Sequence, residues 1–257
     1  MHWWRGPDCR NFGDELSPIV VRAMAGRAVE RAPIHQADLL AIGSILQAAA
    51  RSTQLTIRRE PLHVWGTGII TPLDFPRLPC LSTSAVRGPL TRNVLRLRQS
   101  VPLGDPGLLA DRLIEPAESK EWAWGVIPHH SQVESGFVRR ILEHTPKSTL
   151  IDVRGPDPLA TITKIAKCDR IASTSLHGLI VADAFKIPNI WISPQRERRG
   201  LNWKFADYFL SVGRSLFQPL SVPESADLNE IAGSEKPDYL ADIDLVKECI
   251  AAAFPAL

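Results

Sequence analysis

The chain has 257 residues, enough for one large domain or two modest ones around a sizeable buried core. With 44% hydrophobic and 23% charged residues it is composed like an ordinary globular protein, which excludes a disordered or fibrous one. Thirty Lys+Arg against 28 Asp+Glu leave a formal charge of +2, too balanced for a general nucleic-acid binder, so an anionic partner must meet a local basic site.

No apolar run reaches the ~20 residues of a bilayer span, and Met1-His2-Trp3-Trp4-Arg5 lacks the apolar core of a signal peptide, so the chain reads as cytosolic. Cys9, Cys80, Cys168 and Cys249 are scattered too widely for a zinc knuckle or a CxxC pair and read as reduced thiols.

Short β-branched runs alternate with Gly- or Pro-containing turns and amphipathic stretches, the pattern of an α/β fold with parallel strands. A first strand is expected at Trp3-Trp4-Arg5, followed through Asn11-Phe12-Gly13-Asp14-Glu15 by a helix starting near Leu16. Leu62-His63-Val64-Trp65 is a strand opening into Gly66-Thr67-Gly68. Leu81 to Val86 is another, opening into Arg87-Gly88-Pro89, where Pro89 suits the first turn of a helix through Arg98. Val101-Pro102-Leu103 then runs into Gly104-Asp105-Pro106-Gly107. In open α/β sheets such loops at strand carboxyl ends bind ligands.

The polar stretch Leu113 to Ser119 reads as a linker, dividing the chain into domains 1–116 and 117–257. The second series comprises a strand from Trp122 to Ile127 and a helix from about Gln132, with Ser131 and Glu134 spaced as a capping box. A strand from Thr149 to Val153 and a helix from Asp157 to Lys167 follow. Asp169 to Ser173 is a strand, Leu176 to Phe185 a helix and Ile190 to Ile192 a strand. Helices are expected around Trp203 to Leu210 and from Ala241 to Ala253, with Arg214 to Lys236 mostly loop. The last helix can pack back on the N-terminal domain. Two such halves facing each other would make one cleft between their strand ends.

The segment Ser173-Thr174-Ser175-Leu176-His177 ends a strand in three hydroxyls and places His177 in the first turn of a helix. Free N–H groups there favour an anion, which would in turn protonate the imidazole; alternatively Ser175 only caps the helix and His177 packs. Asp14 can accept a hydroxyl proton or cap its helix, with Asn11 and Gly13 beside it. Arg87 offers a planar fork of donors to a carboxylate or phosphate, or a salt bridge. Gly66, Gly68, Gly104 and Asp105 sit in loops that complete neither a Walker A nor a GxGxxG pattern. His129-His130 can line the same cleft but makes a poor metal site, and Arg196-Glu197-Arg198-Arg199 reads as a solvated face, with Asn202, Lys204 and Asp207 after it.

In series, Arg5-Gly6, Asn11 to Leu16, Ala41 to Leu46, Trp65 to Gly68, Val86 to Thr91, Leu103 to Gly107, Ile127 to His130 and Ser173 to Pro188 resemble the polysaccharide pyruvyltransferase family, in particular its shorter exopolysaccharide-biosynthesis members. The resemblance implies two Rossmann-like domains in a GT-B-like arrangement around a central cleft. It implies transfer of pyruvate from phosphoenolpyruvate, as a ketal, to a sugar of a cell-surface glycan precursor. The acceptor can be a lipid-linked oligosaccharide met at the inner membrane face. No cofactor or metal is implied beyond phosphoenolpyruvate as donor.

Carried onto this chain, it makes His177 the general acid, Arg87 the anion clamp and Asp14 the residue that handles the acceptor hydroxyl. Asn11, Gly13, Gly66, Gly68, Gly104, Asp105, His129, His130, Ser173, Ser175 and Lys204 become substrate-binding. Several family members have arginine where this chain has Ser175, so another cation must serve: Lys204, Arg154 or one of Arg196, Arg198 and Arg199. A nucleotide-sugar glycosyltransferase of the same architecture and a non-catalytic glycan-binding protein are the competing expectations. The first is disfavoured because no glutamate lies between Glu143 and Glu197 to hold a ribose.

Overall fold

Acidic side chains suit the positive end of a helix, and Asp14 and Glu15 fall in the first turn of helix α1 (Phe12–Ala25), which therefore begins ahead of Leu16. It stops at Gly26, whose left-handed φ of 64° closes the last turn. The computed structural model describes residues 1–6, 10–194, 203–215, 218–223, 226–231, 238–239 and 241–257. Strand β1 (Leu39–Leu40), helix α2 (Leu46–Arg51), strands β2 (Leu62–Trp65) and β3 (Leu81–Ala85) and helix α3 (Pro89–Val94) follow.

The strands form a parallel sheet in the order β1-β2-β3, flanked by single bridges from His2 to Leu40 and from Val86 to Leu103. The strands expected at Trp3–Arg5 and 101–103 thus shrink to one bridge each. Pro102 has no N–H to extend the second, and Trp3 is buried in the core rather than paired. Helix α3 stops short of Arg98, and Arg96 adopts a left-handed φ of 54° just beyond it.

A 3-10 turn (Pro106–Leu113) leads into the polar stretch before a second sheet of five parallel strands. Its elements are β4 (Trp122–Ile127), α4 (Gly136–His144), β5 (Ser148–Leu150), α5 (Pro158–Ala166), β6 (Cys168–Ser173), α6 (Leu176–Ala184) and β7 (Asn189–Pro194). Helix α7 (Trp203–Val212), strand β8 (Leu220–Val222) and helices α8 (Leu228–Ile231) and α9 (Ile243–Ala252) complete the described chain, so the stretch expected as loop holds β8 and α8.

The capping box at Ser131 and Glu134 does not form. Residues 130–132 make a 3-10 turn, Glu134 pairs with Arg154 at 2.8 Å, and Ser135 caps α4 by accepting from the Val138 N–H. Strand β5 ends at Leu150, before the expected Val153, and the Val153 carbonyl instead accepts from the N–H of Phe12 at 2.8 Å.

The strand order β5-β4-β6-β7-β8 reverses direction between β4 and β6, which makes their carboxyl ends the switch point where open α/β sheets place ligands. One hydrophobic core joins α1 (Leu16, Val20) and Trp65 of β2 to Ile127 of β4, Ile162 of α5, Ile171 of β6, Val181 of α6 and Ile250 of α9. Helix α9 packs on the 3-10 turn, and the Ile250 carbonyl accepts from the Trp65 indole N–H at 2.8 Å. Cys80, Cys168 and Cys249 are free thiols; Cys9 lies outside the described residues. No helix among the described residues is long and apolar enough to cross a membrane.

Candidate functional site

The carboxyl ends of the strands in both sheets open onto one cavity of about 380 Å³. From the first sheet come Trp4, Asn11 and Asp14 beyond the His2 bridge, then Gly43, Ser44, Gln47 and Arg51 beyond β1, and Arg87 beyond β3. From the second come His129 and His130 beyond β4, Leu176 and His177 beyond β6, and Lys204 from α7. The histidines thus flank the switch point of the five-stranded sheet.

His177 packs against α1, where a Cβ at Gly13 would collide with its ring, so the bare glycine is what lets the imidazole approach Asp14's helix. Its Nε2 is buried without a hydrogen-bond partner among the described residues. Burial, then the charges of Lys204 and Arg87, push its pKa down to about 3. Burial, His130 and Lys204 push His129 down to about 4, and burial and Lys204 lower His130 as well. Lys204 forms no hydrogen bond or ion pair among the described residues, and burial followed by the nearby Arg87 lowers its own pKa against the pull of Asp14. The result is a half-buried ammonium facing three neutral imidazoles. An anion placed there would relieve every one of these shifts.

Asp14 is buried, and desolvation drives its pKa up to about 7 although the Asn11 amide donates to its Oδ2 at 2.6 Å and Lys204 opposes the rise. It is the third residue of α1, not its cap. A carboxyl held there exists in both protonation states near neutrality, which suits proton transfer.

Arg87 is only 1% exposed and its fork is largely occupied. Nε donates to Asp207 Oδ2 at 3.2 Å, Nη2 to the Ile69 carbonyl at 2.6 Å and Nη1 to Ser44 Oγ at 2.9 Å. The guanidinium packs where a Cβ at Gly68 would stand. Asp207 also receives the Thr91 N–H (3.0 Å) and hydroxyl (2.6 Å), which caps α3 from α7. Arg87 therefore lines the cavity as a braced positive wall with its Nη1 side next to Ser44, rather than as a free two-pronged clamp.

Several residues expected at the site lie elsewhere. Gly66 and Gly104 are packing positions, crowded by Pro106 and by Ile250 of α9 respectively. Asp105 is fully buried and caps the 3-10 turn by accepting from the Gly107 N–H at 2.9 Å. Ser173 and Ser175 are buried scaffold: Ser173 Oγ accepts from the Ser175 N–H at 2.9 Å, and the Ser175 hydroxyl makes no capping bond. Thr174, between them, accepts from the His129 N–H at 2.8 Å and so fixes the histidine loop to β6.

Of the cations expected to replace the family arginine, Lys204 lines the cavity. Arg154 is paired with Asp152 and Glu134, and Arg196, Arg198 and Arg199 lie, with Asn202, outside the described residues. The sequence reading misses His2, Trp4, Ser44, Gln47, Arg51 and Ile70. The only signal for the helix face among them is the spacing of Gln47 and Arg51, four residues apart.

A solved structure that matches the chain is not found. Among curated proteins, it is 28% identical over 216 residues to the succinoglycan biosynthesis protein ExoV of Rhizobium meliloti (strain 1021), covering 84% of this chain and 65% of that one. It is 31% identical over 97 residues to an uncharacterised protein of Acanthamoeba polyphaga mimivirus, covering 36% of this chain and 33% of that one. The chain thus spans just under two thirds and about one third of these relatives' lengths. The family model for polysaccharide pyruvyl transferase matches residues 11–196, a stretch that carries Asp14, Arg87, both adjacent histidines and His177, and this chain belongs to that family.

Proposed function

We propose that this protein transfers pyruvate from phosphoenolpyruvate to two hydroxyls of a glycan sugar as a ketal, in a GT-B-like arrangement of its two sheets. The observation that carries the reading is the charge pattern of one small cavity: Lys204 and braced Arg87, three histidines held neutral, and Asp14 poised at about 7. A volume of about 380 Å³ sits at the low end of ligand-site sizes and suits a small phosphorylated acid with the reacting edge of a sugar.

The phosphate and carboxylate of the donor, next to Lys204, raise the pKa of His177 and load its proton. His177 delivers that proton to the enol methylene, which leaves an oxocarbenium-like carbon for a sugar hydroxyl to attack. Asp14 takes the hydroxyl proton. Phosphate then leaves from the same carbon, and the second hydroxyl closes the ketal, its proton leaving with the phosphate. A positioned acid of this kind contributes ~10²–10⁴-fold. The reverse division, with Asp14 as acid and His177 as base, is favoured by one observation: without a ligand, Asp14 is the group that still holds a proton near neutrality.

The test is incubation with phosphoenolpyruvate and a panel of glycan acceptors, following inorganic phosphate and product mass. Phosphate release that depends on acceptor, with a mass gain of one pyruvic acid less one water, is expected. Release by hydrolysis alone, or none with any acceptor, overturns the reading.

A further inference from the structure

The cavity has two chemically different linings. Asp14, His129, His130 and His177 all feel the charge of Lys204 and form its ionic part. A second part of the lining is Trp4, Ile70 and the face of α2 that carries Gln47, Ala48 and Arg51. Trp4 is 43% exposed, an unusual place to leave an indole, and its ring stacks on His130 with centroids 6.4 Å apart and planes at 29°. Gln47 Oε1 is buried and receives no donor among the described residues. Arg51 is exposed and forms no ion pair among the described residues. An open aromatic face, a carbonyl lacking a hydroxyl and a free guanidinium on one wall match a sugar ring better than a second phosphate.

Resting on the pyruvyltransferase reading, we propose that Trp4, Gln47 and Arg51 form the acceptor subsite for one pyranose residue. The ring lays its apolar C–H face on the indole, a ring hydroxyl donates to Gln47 Oε1, and Arg51 donates to the outer hydroxyls. Because Trp4 stacks on His130, whose ring meets that of His129 in a tilted contact with centroids 4.0 Å apart, the sugar sits directly beside the ionic part where the donor binds. Trp4 lies ahead of the stretch that matches the family model.

The experiment titrates methyl β-glucopyranoside and methyl β-galactopyranoside into wild type, Trp4→Ala, Trp4→Phe and Gln47→Leu by saturation-transfer NMR, and inorganic phosphate into the same proteins by calorimetry. Trp4→Ala is expected to weaken pyranoside binding about tenfold, the equivalent of one lost stacking contact, with Trp4→Phe between it and wild type and phosphate affinity unchanged within about twofold. Gln47→Leu weakens the pyranosides likewise. A wild type that binds neither pyranoside, or a Trp4→Ala protein that binds them as well as wild type, overturns the subsite. Pyranoside binding that depends on Trp4, in a protein that never turns over phosphoenolpyruvate, sinks the reaction and leaves the subsite standing.

Discussion

At His177 the surroundings, not the imidazole, set the chemistry. The sequence shows a histidine in the first turn of a helix; its packing against α1 and the two cations that help hold it near 3, Arg87 beyond β3 and Lys204 of α7, come from other elements of the fold. His177→Gln keeps a hydrogen-bonding side chain but carries no proton at pH 7. It is expected to fold as wild type and lose roughly 10²-fold or more of acceptor-dependent phosphate release; turnover near the wild-type rate would move the acid to Asp14. The same electrostatics predict that binding of sulfate, already a dianion at this pH, takes up protons at pH 6, because the bound charge raises the depressed histidines. Calorimetry in buffers of different ionisation enthalpy reads this directly, and a buffer-independent heat contradicts it. For stability the signs of Asp14 and His177 oppose. Asp14, raised from 3.8 to about 7, favours the fold below pH 3.8, and that contribution is lost as pH rises through about 7. His177, lowered from 6.5 to about 3, favours it above pH 6.5 and loses that contribution as pH falls toward 3. Asp14→Asn should therefore raise Tm at pH 8 and leave it unchanged at pH 4, a comparison for thermal melts at the two values.

Among the elements, α7 is the one that assembles the site. It carries Lys204 into the cavity and, one turn later, Asp207 to the N-terminus of α3 and to Arg87, so a single helix sets the position of two cations. Arg87 was legible in the sequence as a cation at a strand end, but its partner 120 positions away was not. Removing one member of a buried pair leaves the other uncompensated. Asp207→Ala is expected to destabilise by about 3–5 kcal/mol in urea melts, against less than about 1 kcal/mol for an exposed pair such as Arg96 with Asp74. Equal small effects would mean that Arg87 is satisfied without Asp207. Helix boundaries were readable where an Asp cap precedes proline or an apolar run, as at Asp157 before α5 and Asp242 before α9. They were not readable at α2, whose preceding residue is Ile45 and whose start is pinned instead by the Ile45 N–H donating to Thr67 Oγ1 at 3.1 Å, a contact from another loop.

At the scale of the molecule, the two sheets share a core that runs from α1 and Trp65 to the interior faces of α5 and α6 and is closed by α9. Separate halves would melt separately; a common core ties them. One cooperative urea transition, coincident by tryptophan fluorescence and far-UV circular dichroism, is expected, and two resolved transitions would show that the halves are independent. The sequence by itself determined the α/β class, the parallel alternation from β4 to β7 and the positions of Asp14, Arg87 and His177 at strand or helix ends. Those follow from local period, capping and turn chemistry, which act over a few residues. Only the tertiary structure decided which loops face the cavity. Gly66 and Gly104 look like ligand loops until Pro106 and Ile250 are seen filling the space beside them, whereas Trp4 and Gln47 carry no local mark of a site. Burial, orphaned polar atoms and shifted protonation are sums over neighbours distant in the chain, and they exist only once the fold has brought those neighbours together.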